Sequence, residues 1–168
     1  MEKETVLVRQ AQRGNAAAFA RLYQDSYLDL YRFALYTLKN SHDAEDAVSD
    51  TVADAWAQIG SLKKAESFHA WIFRILSNKC RQRLKGYLDK AEEIPEDFSA
   101  PNADQEEAAD VRAAFGKLED EERMILSLHL FGGYTSKEIG KLLDLNENTV
   151  RSRQKRALEK MAEYLEKK

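Results

Sequence analysis

Residues 135–156 have the sequence TSKEIGKLLDLNENTVRSRQKR, and this stretch decides the fold of the C-terminal half of the chain. Thr135 is followed three residues later by Glu138, which is the spacing of a capping box and predicts the start of a helix. Apolar residues then recur at helical spacing: Ile139, Leu142 and Leu143. One face of this helix must therefore lie against a neighbour. We predict that the helix is short and ends at Asp144.

A second helix follows at once. Asn146 is a good N-cap for a helix that begins at Glu147, so the connecting turn is short and the two helices must cross steeply. Gly140 lies inside the first helix, where glycine costs about 1 kcal/mol relative to alanine. Its presence indicates the close approach of another helix, and we expect Val150 to close that crossing.

The second helix has two different faces. Its inward face is apolar: Val150, Ala157, Met161 and Leu165. Arginine and asparagine on the outward face can make bidentate contacts to base edges, whereas lysine and further arginines suit phosphates. The pattern therefore predicts a helix-turn-helix that binds duplex DNA, and the alternative is a solvated amphipathic helix. The candidate duplex contacts are Asn148, Thr149, Arg151, Ser152, Arg153, Lys155 and Arg156.

Composition limits the remaining possibilities. The chain has 168 residues, of which 43% are hydrophobic and 33% charged, and this suits one or two small helical domains. No run approaches the ~18 apolar residues that a bilayer requires, so we expect no membrane insertion. The N-terminal MEKETVLVRQ lacks the apolar segment of a secretory signal, which predicts a cytoplasmic protein. Cys80 is the single cysteine, so no internal disulfide can form.

The net charge of −3 is unevenly distributed. Residues 1–85 carry 13 basic and 10 acidic side chains, residues 86–110 carry 1 and 9, and residues 111–168 carry 12 and 10. The acidic middle also holds both prolines, which predicts a linker at 87–106 between domains at 1–86 and 107–168. We interpret it as a solvated spacer, and the alternative is that its acids transiently cover a basic face.

The N-terminal half predicts four helices. A short helix ends near Gly14, and a long core helix extends from Asn15 to Leu38, with tyrosine hydroxyls at its rim. Asn40 caps the next helix, and its buried stripe is Ala47, Val48, Val52, Ala55, Trp56 and Ile59. The other side of that helix carries an acidic ridge: Asp43, Glu45, Asp46, Asp50 and Asp54. The ridge is either an ordinary soluble face or a docking surface for a basic partner.

The fourth helix, from Ser67 to Lys85, changes character partway. Its first half is aromatic and its second half is basic, a combination that suits single-stranded nucleic acid, because cations hold phosphates and rings stack against unpaired bases. The alternative is that the rings form core. We expect only Phe68, His69 and Trp71, near the preceding loop, to lie beside DNA.

The C-terminal half adds two helices before the helix-turn-helix, which gives a four-helix unit. Their apolar positions are Val111, Ala114, Phe115 and Leu118 in one and Met124, Ile125, Leu128 and Phe131 in the other, followed by a turn at Gly132-Gly133. The predicted fold class is therefore all-α, with two small helical domains joined by the acidic linker. The histidines have no metal-ligand spacing with Cys80 or with each other, and no phosphate loop or nucleophile motif occurs. We expect no enzyme, no metal and no cofactor.

Taken together, the two halves of the chain resemble an extracytoplasmic-function (ECF) sigma factor of bacterial RNA polymerase. The N-terminal segments DAEDAVSDTVADAW and AWIFRILSN resemble its region two. The C-terminal segment LEDEERMILSLHLFGGYTSKEIGKLLDLNENTVRSRQKRAL resembles its region four. The resemblance implies that region two binds the clamp helices of the polymerase largest subunit and opens the minus-10 element. It also implies that region four recognises the minus-35 element as duplex, and that an anti-sigma factor is a partner.

Carried over by position, the resemblance implies two sets of site residues in region two. The polymerase contacts would be Asp43, Asp46, Ser49 and Asp50. The minus-10 contacts would be Ser61, Lys63, Lys64, Ser67, Phe68, His69, Trp71, Arg74 and Asn78. To these the basic half of the fourth helix adds Lys79, Arg81 and Arg83 as predicted contacts to the strand backbone. The chain departs from the family at Ser49, usually Gln, at Gln82, often Asp, at Gly140, usually Ala, and at Gln154, often apolar.

Two other classes of function compete with this interpretation. One is a duplex-only helix-turn-helix regulator that works as a dimer, but that leaves the N-terminal half unexplained. The other is a helical adaptor with no DNA role, which uses the acidic ridge to bind a regulator. Transcription from a promoter with purified core polymerase separates all three.

Overall fold

The structure, a computed structural model, describes residues 2–90 and 106–167. Its regular elements in these ranges are helices, which confirms the predicted all-α class. They are α1 (Glu2–Gln12), α2 (Ala16–Leu38), α3 (Ser41–Gln58), α4 (Phe68–Lys90), α5 (Glu106–Gly116), α6 (Asp120–Leu130), α7 (Ser136–Leu143) and α8 (Glu147–Glu166). Two 3-10 turns, Ile59–Ser61 and Ala65–Ser67, form the connection between α3 and α4. None of the helices in the described ranges is long and apolar enough to cross a membrane.

Local capping chemistry sets the ends of the N-terminal helices. The side chain of Asn15 accepts a hydrogen bond from the backbone N–H of Ala18 at 3.1 Å and starts α2. Lys39 ends α2 in the left-handed region with a φ of 61°. Asn40 then accepts from the N–H of Asp43 at 3.0 Å, so the predicted cap of α3 is confirmed.

The long helix α2 is the centre of the N-terminal half, and it packs on α1, α3 and α4. Its core side chains include Leu30, Tyr31, Phe33, Ala34 and Leu35. Tyr23, Tyr27 and Tyr36 are only partly buried, and burial raises the pKa of all three phenols. These three tyrosines are therefore packing residues that stay partly exposed, as the prediction of hydroxyls at the rim requires, while Tyr31 is buried.

Two residues predicted to be buried are exposed. Trp56 of α3 is 39% exposed, because its ring lies at the edge of the bundle, 5.1 Å from the ring of Phe19. Leu165 is 38% exposed, since the last turn of α8 extends beyond the neighbours that cover Val150, Ala157 and Met161. On α3 the stripe continues to the buried Ile59, so only Trp56 departs from the prediction, whereas on α8 the core ends before the stripe does.

The two halves of the chain share one hydrophobic core. Helix α6 packs directly on α2. The residues that the C-terminal half contributes to this common core include Met124, Ile125, Leu128, Tyr134, Ile139, Leu143 and Val150. A smaller core lies within the C-terminal half, made by Ala114, Phe115, Leu118, Leu126, Ala157 and Met161. We call this packed state the closed arrangement.

Aromatic rings join the halves in the closed arrangement. The ring of Tyr36 lies edge-on to Phe115, with centroids 4.6 Å apart, and 5.0 Å from the ring of Phe131. Phe73 of α4 meets Tyr134 at 6.1 Å. The link between the halves is therefore apolar and extensive. Helix α4 continues to Lys90, and residues 91–105, which include most of the predicted linker, lie outside the described residues.

Candidate functional site

The helix-turn-helix starts at a capping box, as predicted. The hydroxyl of Thr135 accepts from the N–H of Glu138 at 3.2 Å, and the Glu138 carboxylate accepts from the N–H of Thr135 at 3.0 Å. Hydrogen bonds from the backbone N–H and the side chain of Thr135 lower the pKa of the Glu138 carboxyl. Helix α7 ends at Leu143, and Asp144 follows in the left-handed region with a φ of 57°. The short first helix and its predicted end are confirmed.

The turn between α7 and α8 is tighter than the sequence alone indicated. The N–H of Leu145 donates to the carbonyl of Gly140 at 2.8 Å. A Cβ atom at Gly140 would lie only 2.6 Å from the carbonyl oxygen of Leu145. The closest approach at Gly140 is therefore made by the backbone of the turn. The backbone nitrogen of Glu147, the first residue of α8, lies 3.7 Å from the same Cβ position, so the predicted neighbouring helix approaches there only through its first residue. Asn146 caps α8 by accepting from the N–H of Asn148 at 2.8 Å, and Val150 is fully buried.

Helix α8 presents a polar and basic face to solvent. Its exposed members are Asn148, Arg151, Ser152, Lys155 and Arg156, and Thr149 and Arg153 are half-buried. Arg151 forms an exposed ion pair with Glu147 at 2.7 Å, one turn earlier on the same helix. Arg153 is turned toward α6, where it pairs with Glu121. In this arrangement Arg151 and Lys155 are open to a ligand, whereas Arg153 is engaged within the protein.

The acidic ridge lies along α3. Ser49 and Asp50 are exposed, and the carboxylate of Asp46 lies 3.5 Å from the imidazole of His42 on the preceding turn. Asp43 is more enclosed, because its side chain is turned toward α4. The four predicted polymerase contacts therefore lie on one helix, but Asp43 and Asp50 do not face the same surroundings as Asp46.

The basic half of α4 lies against this ridge. Lys79 pairs with Asp54 at 2.6 Å, and Arg83 pairs with Asp50 at 3.2 Å and with Asp43 at 3.9 Å. Lys79 and Arg83, which were predicted to contact the DNA backbone, are thus paired with carboxylates of α3. The sequence could not show this, since the partners are separated by 25 or more positions along the chain. Arg74, Asn78 and Arg81 are exposed on the same helix.

The loop before α4 is held in place by a residue that the sequence analysis missed. The side-chain amide of Gln12 donates to the carbonyls of Ile59 at 3.0 Å and Leu62 at 2.8 Å. These bonds tie the end of α1 to the loop that carries the predicted contacts. Ser61, Lys63 and Lys64 are exposed on it, and Ser67 is half-buried.

The three aromatic residues at the start of α4 differ in exposure. Phe68 is 1% exposed and belongs to the core, so in this arrangement its ring is not available to a base. That corrects the expectation that Phe68 lies beside DNA, because the loop ends in a 3-10 turn that directs this first residue of α4 inward. His69 and Trp71 are only half-buried. The ring of His69 lies 4.7 Å from Phe73 and 6.4 Å from Tyr134 of the C-terminal half.

A cleft of about 440 Å³ runs between the halves at this point. Ser67, Trp71 and Arg74 line one wall, and Tyr134, Glu138, Lys141 and Leu142 line the other. The closed arrangement therefore places α7 over part of the surface predicted to contact the minus-10 element. Within the described ranges, no three His, Cys, Asp or Glu side chains are grouped as metal ligands would be. Burial raises the pKa of the Cys80 thiol.

A helix-turn-helix with a basic outer face, joined to a helical bundle with an acidic ridge, is the architecture of a DNA-binding protein with a second binding surface. Family models for Sigma-70 region 2 and Sigma-70, region 4 match residues 22–87 and 114–163. The ECF RNA polymerase sigma factor SigM of Mycobacterium tuberculosis is 31% identical over 156 residues, covering 90% of this chain and 79% of SigM. The chain belongs to the ECF RNA polymerase sigma factors, which direct RNA polymerase to promoters.

Further relatives agree along nearly the whole chain. RNA polymerase sigma factor CnrH of Cupriavidus metallidurans is 28% identical, covering 98% of this chain and 95% of CnrH. The structure of CnrH in complex with the cytosolic domain of CnrY matches with a TM-score of 0.71 and 27% identity, over 98% of this chain and 97% of that one. The sigma factor RpoE from Bartonella quintana, in complex with NepR, has the same fold, with a TM-score of 0.71 and 24% identity over 88% of this chain and 96% of that one.

Proposed function

We propose that this sigma factor works through three surfaces: α8 on the minus-35 duplex, the ridge of α3 on core polymerase, and the loop and α4 on the opened minus-10 strand. The observation that carries the proposal is the outward face of α8. Its polar and basic side chains point to solvent directly after a capped, tight turn, as entry into the major groove requires.

On the minus-35 element, the N-terminal part of α8 supplies base contacts. Asn148 and Arg151 are exposed near the helix start, where a recognition helix meets base edges. Lys155 and Arg156, further along, are suited to phosphates. Arg151 would exchange its exposed partner Glu147 for a base, at little cost, since exposed pairs of this kind contribute only about 0.3 to 0.5 kcal/mol.

On the polymerase, the ridge offers carboxylates to a basic helical surface, and the clamp helices of the largest subunit are the partner that the family implies. Asp46, Ser49 and Asp50 are the contacts at the centre of this proposal. Charges arranged in this way raise the rate of encounter and fix orientation more than they add affinity. The chain then acts in the cytoplasm, where its partners are. We assign no chemical reaction to it.

On the minus-10 element, His69 and Trp71 offer half-exposed rings, and Arg74, Asn78 and Arg81 offer polar groups on one side of α4. Arg83 would add a further cation once it leaves its carboxylate partners on α3. Rings stack against unpaired bases, and cations hold the backbone of the opened strand. Because α7 lies across the end of this surface that holds Ser67, Trp71 and Arg74 in the closed arrangement, the halves must separate before the strand can enter there. An anti-sigma factor that binds the closed arrangement would hold the protein inactive, and CnrH, a relative, is known in complex with the cytosolic domain of CnrY.

The test is transcription from a matching promoter with purified core polymerase and this chain. Asp46→Lys should abolish core binding and transcript while leaving helix content unchanged, because exposed charges seldom hold a fold together. Asp25→Lys is the matched control, since Asp25 is an equally charged, exposed residue on α2, outside the ridge. Normal core affinity in Asp46→Lys would remove the ridge from the interface. A footprint on duplex without polymerase, and no transcript with it, would favour a duplex-only regulator.

A further inference from the structure

The ridge of α3 and the basic half of α4 form a ladder of ion pairs. Asp50 and Asp54 are one turn apart on α3, and Arg83 and Lys79 are one turn apart on the antiparallel α4. Arg83 is only 28% exposed and is bracketed by Asp43 and Asp50. Each guanidinium–carboxylate contact therefore joins a residue proposed to bind polymerase to a residue proposed to bind DNA.

DNA phosphates and cationic groups of the polymerase would therefore compete with the ion pairs between α3 and α4 for the same side chains. A phosphate can be held by the Arg83 guanidinium only if its carboxylate partners release it, since the planar fork presents its donors in fixed directions. A cationic group of the polymerase that takes Asp50 would remove one of those partners. Asp46, in contrast, has its side-chain contact with His42 on its own helix, and the described contacts include none between Asp46 and α4.

We propose that Asp50, with Asp43, holds Arg83 away from single-stranded DNA in the free protein, and that docking of polymerase on the ridge releases Arg83 for the opened strand. This inference rests on the proposed function, because it assumes that the ridge meets polymerase and that α4 meets DNA. It assigns Asp50 a second role as a positioning residue. Core binding and strand binding then favour each other by the same factor, as linkage requires.

The test measures binding of a fluorescein-labelled oligothymidylate to the free full-length chain. Asp50→Asn should tighten binding about two- to fivefold, the range that corresponds to an exposed ion pair. It should also steepen the salt dependence by about 0.7 in the log–log slope, because one more cation neutralises a phosphate of a single strand. Asp46→Asn changes the net charge equally and is the matched control, for which less than half of the gain is expected.

Arg83→Gln distinguishes release from a general charge effect. In the Arg83→Gln background, Asp50→Asn should no longer tighten binding, because the group that it would release is absent. A gain that persists there, or an equal gain with Asp46→Asn, overturns the inference. Circular dichroism of each variant shows whether the helices remain intact.

The holoenzyme distinguishes the failure of this inference from the failure of the proposed function. With saturating core polymerase, Arg83→Gln should weaken binding to the single-stranded minus-10 oligonucleotide, and Asp50→Asn should no longer strengthen it. If Arg83→Gln has no effect in the holoenzyme, the proposed minus-10 role of Arg83 fails, and the inference fails with it. If Arg83→Gln weakens holoenzyme binding but Asp50→Asn has no effect on the free chain, only the release is overturned.

Discussion

The Nε of Arg123 donates a hydrogen bond to the backbone carbonyl of Thr37 across the two halves of the chain, at 3.2 Å. Arg123 is 2% exposed, and its other donors reach the carbonyl of Leu118 at 2.5 Å and the carboxylate of Asp120. A buried guanidinium is stable only when its donors are paired. The same side chain therefore organises the start of α6 and ties α6 to the end of α2.

The closed arrangement should loosen when an aromatic contact between the halves is removed. Tyr36→Ala deletes the contacts with Phe115 and Phe131, each worth about 0.5 to 1.5 kcal/mol beyond the buried area. Small-angle scattering of the wild-type chain should give a radius of gyration near 15 Å, the value for a compact chain of this length. The variant should give a larger value. Tyr23→Ala, in the same helix but packed on Tyr27, is the control, and an equal expansion in both variants would contradict the prediction.

Arg151 and Lys155 of the recognition helix α8 should make different kinds of DNA contact. Arg151→Ala should cost about 1 to 3 kcal/mol on the preferred minus-35 sequence and relax discrimination at one base pair. Lys155→Ala should weaken all sequences alike and reduce the salt slope by about one unit, because it removes one phosphate contact. Footprinting across a salt series measures both effects. If neither variant changes the footprint, α8 is not in the groove.

His69 should contribute to strand opening rather than to polymerase binding. His69→Ala should still form a closed polymerase–promoter complex but make little transcript from a linear promoter, because a half-exposed ring beside the loop no longer offsets the cost of unstacking. A promoter with a mismatched, already open bubble should restore much of the activity. Equal defects on both templates would instead indicate a packing role.

Phe68 provides the structural comparison for that experiment. Its ring is buried, so Phe68→Ala should lower the free energy of unfolding by about 3 to 5 kcal/mol, as core phenylalanine truncations do. Chemical denaturation measures the loss. His69→Ala should change stability far less, and a comparable loss in the two variants would show that His69 is a core residue too.

Glu122 should make the C-terminal half sensitive to acid. Burial raises the pKa of this carboxyl, but the N–H of Glu119 and the ammonium of Lys160, at 3.0 and 2.9 Å, outweigh it, so the pKa is lowered overall. A carboxyl whose pKa is lower in the folded state stabilises the fold above its unfolded pKa of about 4.3, and that stability is lost as the pH falls through the folded pKa.

The Glu122→Gln variant tests this assignment. It should be less stable than the wild type by about 1 to 3 kcal/mol near pH 7, where the charged hydrogen bond to Lys160 is lost. The difference should shrink below about pH 4, because the wild-type carboxyl is then protonated as well. Urea unfolding at several pH values measures it, with the exposed Glu45→Gln as control. A difference that stays constant down to pH 3 would show that packing, not charge, is responsible.

Local features of the fold could be predicted from the sequence, whereas features that depend on distant residues could not. The capping box at Thr135 and the caps at Asn40 and Asn146 involve neighbours within three positions, so their chemistry is visible in the sequence. The pairing of Arg83 with Asp50 depends on how α3 and α4 pack, and nothing in either segment reveals it. Phe68 and His69 are adjacent aromatics, and only the path of the loop decides which ring is buried.

The packing of the two halves against each other could likewise not be predicted from the sequence. Stripes such as that of Ile139 and Leu143 show that a helix must cover an apolar face, but not which surface covers it. The common core that includes these residues also contains side chains of α2, in the other half of the chain. Helical periodicity shows which face of a helix is buried but not which element buries it. The predicted minus-10 surface is therefore less accessible in the closed arrangement than the sequence indicated.

The turn at Gly140 bears on how far a promoter preference can be transferred between relatives. Alanine is usual at this position in the family, yet here a methyl group would overlap the carbonyl oxygen of Leu145. The angle at which α8 leaves α7 is thus set by contact between two backbones, not by any side chain that touches DNA. Because an alanine here would force the turn to move, we expect a base-contacting residue copied from a relative with alanine to lie at a different position along the groove. Grafts of promoter specificity into this chain should therefore carry residue 140 together with the contact residues.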